Sequence, residues 1–424
     1  MDLGDRFRVR TSADTGRLYP LPAQPSGMRT VDAGGVAIGD GHPPRIMGVL
    51  NLSEESPYDP SVFDDPGEAA MYVDETLIDE GADIVDVGLE SANKRFEVRT
   101  AAEELERLDD AVEAMASTSG DAVWSVETRY HEVAEAALAA GFDMVNDVCG
   151  FADPEMPRVC EEHDAAVVKM ASPPDLERPG AVPDVDGIYD ALAMNGFTDK
   201  TILDPAFGGW TEEKTLADDR ETFDRLREFR GYGRPLLVSI NRKNFLRDVA
   251  GRSTEEALPV SLAATSMAVE RGAHVVRTHD VAETRDAALV GHEFRRERVR
   301  DREADVTELD VTSDREFGRH LERVTGAPRH PSVVRRVVEL RLPPEAEDRL
   351  VEAVEVGSAS ASGAPDWNSC GPSPTGPDVR VFHGDGLLLV GTHDGLRSVR
   401  DTLGGDAPSR RAERALDAVL EGDQ

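Results

Sequence analysis

From residue 45 to about 293 the chain repeats one pattern: a short apolar run rich in β-branched residues, then a longer Ala/Glu/Leu-rich segment with helical spacing. The apolar runs are IMGVL (46–50), DIVDV (83–87), AVWSV (122–126), DMVND (143–147), AVVKM (166–170), TILD (201–204), PLLVSI (235–240) and HVVR (274–277). Helical spacing covers 67–80, 101–116, 131–140, 154–163, 184–196, 212–230, 255–271 and 281–292. Eight runs alternating with eight helices predict an α/β fold, a (β/α)8 TIM barrel, with a doubly wound open sheet as the alternative. Gly81, Gly141 and Gly272 precede strands and suit helix C-caps.

The flanks read differently. Residues 1–44 are rich in Gly, Pro and Asp, and form an N-terminal extension expected to offer one short strand (6–10) and little core. After the 45–293 barrel, HEFRRERVRDREADVTELD is charge-dense and reads as a helix end and a linker. Residues 305–424 then read as a small α+β C-terminal domain. Its strands are VVELRL, VRVFHG and GLLLVGTH, its helices lie near 343–354 and 408–420, and SASASGAPDWNSCGPSPTGPD is a looped segment. No catalytic motif rises from this accessory region.

Composition narrows the partners. The 424 residues carry 83 acidic and 47 basic side chains, a net charge of −36, and the acid is spread along the whole length. A hydrophobic content of 39% argues for a packed core rather than disorder. An acidic shell of this kind suits a high-salt cytoplasm and repels nucleic acid and anionic membrane, so neither is expected as a partner. Cys149, Cys160 and Cys370 have neither zinc spacing nor a disulfide pattern, which fits a reducing cytosol. The sequence MDLGDRFRVR lacks an apolar leader and no run reaches membrane-spanning length, so a soluble cytoplasmic protein is expected.

Against that acidic background the strand endings stand out. Only five lysines occur, yet PLLVSINRK closes on Arg242 and Lys243, and AHVVRTHD closes on Arg277, His279 and Asp280. Active sites of such barrels are built on the loops after the strands. Asn51, Glu127, Asn146 and Asp204 end other strands. Each has a bland alternative: Asn51 as a turn cap, Glu127 and Thr128 as the start of a helix, Arg277 and His279 as partners of a loop carboxylate. Together, polar tips on most strands point to a site. Asp204, Asn146 and Glu127 suit the N–H edge of a flat heterocycle. Arg242, Lys243, Arg277 and His279 suit phosphate oxygens or a ring carbonyl.

The segments IMGVLNLSEES, EGADIVDVGLES, SVETRYHEVAEAALAAGFDMVND, ILDPAFGG, LLVSINRK and VVRTHDVAET, in this order over about residues 45–293, resemble the dihydropteroate synthase family of the pterin-binding barrel superfamily. The resemblance implies a transferase of folate biosynthesis that condenses 7,8-dihydropterin-6-methyl diphosphate with p-aminobenzoate, or another arylamine, releasing diphosphate. It implies that Asp204, Asn146 and Lys243, with Glu127 beside them, hold the pterin. Arg277, His279 and Asn51 would take the diphosphate, Asn51 together with Mg2+, with Lys243, Arg277 and His279 as the catalytic set. A homodimer is a possible assembly. Departures from the family pattern are Glu127 in place of an Asp, Ser239 in place of a Gly, SEESPYDPS with Pro57 in the first loop, and ESANKR (90–95) in the second. They concentrate in loops 51–61 and 90–99 and bear on the arylamine half. A methyl-transferring pterin barrel and a non-catalytic pterin-binding module are the alternatives.

Overall fold

The structure, a computed structural model, describes residues 28–53, 59–90, 98–176, 182–208, 214–295, 300–301, 306–307, 311–325, 335–340, 342–359, 379–383 and 387–421. Two short strands, β1 (Val31–Ala33) and β2 (Val36–Ile38), form an antiparallel hairpin. Eight parallel strands follow: β3 (Arg45–Asn51), β4 (Ile84–Gly88), β5 (Val123–Thr128), β6 (Met144–Asp147), β7 (Ala166–Met170), β8 (Thr201–Asp204), β9 (Leu237–Val238) and β10 (Val275–Thr278). Their order is β8-β7-β6-β5-β4-β3-β10-β9, and a parallel bridge from Leu203 to Leu236 joins the two ends. That bridge closes the sheet into a (β/α)8 barrel and excludes the open doubly wound sheet.

Helices α1 (Pro66–Tyr72, running on as a π-helical stretch Val73–Ile78), α2 (Ala101–Ser117), α3 (His131–Ala140), α4 (Met156–Glu162) and α5 (Val185–Ala193) cover the first strands. After β8 come α6 (Leu216–Asp224) with a 3-10 stretch Leu226–Tyr232, then α7 (Asn244–Ala250), α8 (Leu258–Glu270) and α9 (Val281–Glu293). Local chemistry sets their ends. Thr100 with Glu103, and Thr215 with Asp218, form capping boxes that satisfy exposed N–H groups at the starts of α2 and α6. Gly141, at φ 111°, ends α3 in the left-handed region a side chain would resist.

Side-chain alternation along the strands builds the interior. Outward residues such as Ile46, Val85, Val126, Val145 and Val276 pack under the helices. The inward residues at the strand starts, including Met47, Ile84, Val123, Met144, Ile202, Leu237 and Val275, form a second apolar cluster with Val31, Ala33 and Ile38 of the hairpin. The hairpin therefore plugs the N-terminal end of the barrel. Residues 1–44 were expected to carry little core, and the 28–44 part carries this plug; the expected strand at 6–10 lies outside the described residues. Behind the plug, buried Asp40 accepts a forked bond from Arg230 (3.3 and 3.0 Å) and lies 2.9 Å from His274 Nε2.

Beyond the barrel, the two-residue strands β11 (Arg300–Asp301) and β12 (Val306–Thr307) pair in the segment expected to be a linker. Helix α10 (Asp314–Thr325) packs on Leu226–Tyr232, with the Arg319 guanidinium 4.6 Å from the Tyr189 ring centre and Ser313 bonded to Glu228. Residues 311–325 thus belong with the barrel rather than with the accessory domain. That domain has its own antiparallel sheet, order β13-β15-β14, from β13 (Arg335–Leu340), β14 (Val379–His383) and β15 (Leu387–Thr392). Its helices are α11 (Pro344–Ala359), α12 (His393–Thr402) and α13 (Ala407–Glu421), around Leu350, Leu389, Leu396, Val399 and Leu416. This is the expected small α+β domain, with α12 an addition; most of the expected loop at 358–378 lies outside the described residues. Among the described residues no helix is long and apolar enough to cross a membrane.

Candidate active site

Two residues beyond each apolar bottom-layer position, a strand presents its next inward side chain. Ile84 is followed by Asp86, Val123 by Ser125 and Glu127, Met144 by Asn146, Ile202 by Asp204, Leu237 by Ser239, and Val275 by Arg277 and His279. The period of two thus converts an apolar floor into a polar mouth at the strands' C-terminal ends.

Asp86 lies at the centre and is wholly buried. Its carboxylate accepts from Ser125 Oγ (2.7 Å), Asn146 Nδ2 (3.0 Å) and Arg277 Nε (2.7 Å). Arg277 also donates from Nη2 to Glu127 Oε2 at 2.7 Å, so one guanidinium joins two carboxylates. Among the described residues its Nη1 has no hydrogen-bond partner. Burial raises the Glu127 carboxyl well above the ordinary carboxylate range, opposed by the Arg277 charge and reinforced by Asp86. Asp204 is raised by the same cause, although Ala206 N donates to it at 2.8 Å.

Lys243 and His279 lie beyond this layer, after the ends of β9 and β10. Lys243 caps the start of α7, and burial beside Arg277 pushes its ammonium down to about 8. Gly208, at φ 114°, makes room for it: a Cβ there would lie 3.0 Å from Lys243 Nζ. The Gly208 segment is held from behind by the buried pair Lys214–Asp219 (3.1 Å), with Lys214 Nζ also donating to Ala206 O at 2.6 Å. His279 is pushed down to about 3 by burial, then by Arg277, so the imidazole is neutral at any ordinary pH. Ser61 Oγ lies 3.1 Å from its Nδ1 and accepts from Asn51 Nδ2 at 3.0 Å. Gly88 leaves space for the Asn51 amide oxygen, 2.9 Å from where a Cβ would stand.

A cavity of about 380 Å3 opens here, with Arg242, Lys243, Arg247, Arg277 and His279 in its wall and no carboxylate among its described lining residues. Arg242 departs from the expectation that its guanidinium faces phosphate. It forks onto Asp280 through Nε and Nη2, both at 2.8 Å, and Nη1 reaches the Thr254 and Glu255 carbonyls. Those bonds hold its backbone at φ 54°, a left-handed conformation costing about 1–3 kcal/mol for a non-glycine residue. Arg242 therefore turns the chain so that Lys243 points inward.

Asn51, Glu127, Asn146, Asp204, Lys243, Arg277 and His279 thus converge on one mouth. Thr128 takes the structural reading: it faces outward, donates to buried Glu104 at 2.6 Å and accepts from Tyr130 N. Sequence reasoning missed Asp86 and Ser61 and gave Ser125 no role beyond that of a polar strand end. For Asp86 the signal was present, a charge inside the apolar run DIVDV at the parity of the inward residues. Of the two departing loops, 51–61 and 90–99, residues 54–58 and 91–97 lie outside the described residues. Glu90 is tied to buried Arg129 at 2.5 Å.

Comparisons with known proteins agree with this geometry. Residues 47–279 match the family model described as pterin binding enzyme. The Bacillus subtilis dihydropteroate synthase is 31% identical over 242 residues, 56% of this chain and 83% of that protein. A probable bifunctional folylpolyglutamate synthase/dihydropteroate synthase of Halobacterium salinarum is 33% identical over 268 residues, 60% of this chain and 32% of that protein. The chain therefore spans about a third of the length of such bifunctional relatives. A solved dihydropteroate synthase of Coxiella burnetii in complex with pteroic acid has a TM-score of 0.54 at 28% identity, covering 63% of this chain and 98% of that one. The Xanthomonas albilineans dihydropteroate synthase with 4-aminobenzoic acid has a TM-score of 0.52 at 30% identity, covering 62% and 96%. With the family model spanning over half of its residues and those polar strand tips assembled at one barrel mouth, the chain belongs to the dihydropteroate synthase family of pterin-binding enzymes.

Proposed function

We propose that this chain joins 7,8-dihydropterin-6-methyl diphosphate to p-aminobenzoate or a related arylamine, giving dihydropteroate and diphosphate. The observation that carries the reading is the division of the mouth: carboxylates and an amide at the ends of β4, β5, β6 and β8, and at the ends of β9 and β10 a cationic cavity with no carboxylate among its described lining residues. The flat pterin, with its row of N–H donors, goes onto Asp204, Asn146 and the Asp86–Glu127 pair. Lys243 meets the ring carbonyl. The diphosphate goes to Arg277 and His279.

In the reaction the arylamine nitrogen forms a bond to the pterin methylene carbon as the carbon–oxygen bond breaks. The electron pair of that bond leaves on diphosphate, and the amine loses a proton. Arg277 and neutral His279 donate hydrogen bonds to oxygens whose negative charge grows as the bond breaks, which lowers the barrier more than uniform binding would. Asn51 fits a role as a single neutral magnesium ligand, because its Nδ2 is engaged by Ser61 and its oxygen stands over Gly88. Magnesium bound there would neutralise charge on the leaving group. The cationic cavity also argues against a methyl-transferring pterin barrel, whose donor carries no such anion.

The acidic surface supports a high-salt cytoplasm as the setting. A homodimer is supported by Met267 on α8 and Leu289, Val290 and Phe294 at α9, which are 41–80% exposed although 31% of the chain is charged. The test is direct: purified full-length chain in molar salt, given the pterin diphosphate, Mg2+ and p-aminobenzoate, should release diphosphate and form dihydropteroate. Pterin binding without diphosphate release, across a panel of arylamines, would overturn the reading.

A further inference from the structure

Ser239 follows the two residues of β9 and lies between Val238 and Ile240, which both pack in the outer apolar cluster. Its side chain therefore faces inward, where it lines the cavity with Val49, Lys243 and Arg277. The β9–β10 register runs Val275↔Leu237 and Val276↔Val238, so its next step sets Ser239 beside Arg277. On the other side, the bridge from Leu203 to Leu236 brings β8 and its last residue, Asp204, alongside β9. The neighbouring polar groups are committed: Arg277 to Asp86 and Glu127, Asn146 to Asp86, and Asp204 to Ala206 N. Ser239 is half-buried, and among the described residues its hydroxyl has no hydrogen-bond partner. A hydroxyl in such a wall has one bond to donate, which the glycine of the family pattern would not have.

We propose that Ser239 is a substrate-binding residue whose hydroxyl donates to the pterin ring carbonyl beside Lys243, a contact that a glycine at this position could not make. The assignment rests on the reading proposed above, in which the ring takes this part of the mouth. The N–H edge of the ring goes to Asp204, Asn146 and the Asp86–Glu127 pair, and the carbonyl goes to Lys243. Ser239 stands between those two sets, on the strand next to Asp204 and four residues before Lys243. A carbonyl oxygen has two lone pairs, so an ammonium on one leaves the other for the hydroxyl. The diphosphate has its donors in Arg277 and His279. Because the ring carbonyl takes no part in the bond that breaks, the hydroxyl holds substrate and transition state alike. Its loss should therefore raise KM for the pterin diphosphate and leave kcat in place.

The decisive experiment compares the full-length wild type with Ser239→Ala and Ser239→Gly in molar salt. Calorimetric affinity for 6-hydroxymethylpterin should fall about threefold to tenfold in both variants, the worth of one hydrogen bond. Affinity for inorganic diphosphate should stay at the wild-type value, which also shows that the cavity is intact. Isotope-edited infrared spectra of the bound pterin give a readout of the contact itself. The ring carbonyl stretch should move to higher frequency in Ser239→Ala, as a carbonyl that has lost a donor does. Unchanged or tighter pterin binding in Ser239→Ala, an unmoved carbonyl stretch, or an equal loss of diphosphate affinity overturns the proposal. A chain that shows these differences but forms no dihydropteroate with any arylamine would retire the reaction and leave the Ser239 contact standing. A wild type that binds no pterin would overturn both.

Discussion

Lys243 offers the sharpest quantitative test of the site. Burial beside Arg277 brings its ammonium from 10.5 to about 8. Suppose that pterin binding needs the charged form, because the ammonium donates to the ring carbonyl. Binding is then complete below the folded pKa and is lost as pH rises through it. At pH 8 about half the population is charged, and at pH 10 about one part in a hundred. Affinity for 6-hydroxymethylpterin should therefore drop about 50-fold over that interval, about 2.3 kcal/mol. An unshifted lysine would lose only about 1.3-fold, so the two cases are well separated. Lys243→Arg supplies the control, since its guanidinium stays charged throughout and any titration of the ligand affects both proteins equally. The assay is calorimetric titration at the two pH values in molar salt. A wild-type affinity that changes no more than the arginine variant's would refute the reasoning, placing Lys243 either outside the contact or in a hydrated position with an ordinary pKa.

Two further outcomes follow from the packing of the mouth. Gly208→Ala puts a methyl group 3.0 Å from Lys243 Nζ at φ 114°, so pterin affinity should fall about tenfold in calorimetry, with a stability loss of about 1 kcal/mol or more; unchanged affinity would mean that Lys243 does not need that space. Arg277→Met leaves Asp86 and Glu127 without their shared cation, so unfolding should become easier by about 3–5 kcal/mol, roughly 10 °C in Tm, and adding Asp86→Asn should recover part of it; a change under about 2 °C would show the pair to be solvated.

The barrel was legible because apolar periodicity carries the register of each strand. The site was legible where a polar residue ended a run, as at Asn146, Asp204 and Lys243. Asp86 escaped because it sits inside its run, where counting apolar residues hides the alternation that points it inward. Arg242 was misjudged for another reason: adjacent residues on a strand end look equivalent in sequence. Its left-handed backbone and the fork onto Asp280 commit its guanidinium to Asp280, although both cations line the cavity. The same turn shortens β9 to Leu237–Val238, where sequence extended it to residue 240. Ser61 and the hairpin plug were invisible because their roles depend on residues more than 200 positions away in one case, and on the whole barrel floor in the other.

The layering also explains how a protein of net charge −36 can present a site for an anion. Along the inward parity an apolar floor gives way to a polar layer of Asp86, Ser125, Asn146, Asp204 and Arg277, with Glu127 and His279 one step further out. The carboxylates are not free charges, since Arg277 spans Asp86 and Glu127 and burial biases Glu127 and Asp204 toward their protonated forms. Neutral His279 adds a donor without adding charge. The cavity wall therefore keeps its positive potential although acid lies beside it. In molar salt the Debye length falls to about 3 Å, so the acidic exterior is screened from an approaching diphosphate while contacts inside the cavity are screened much less. Surface charge and site charge can then be set independently, one by the solvent and the other by the strand tips.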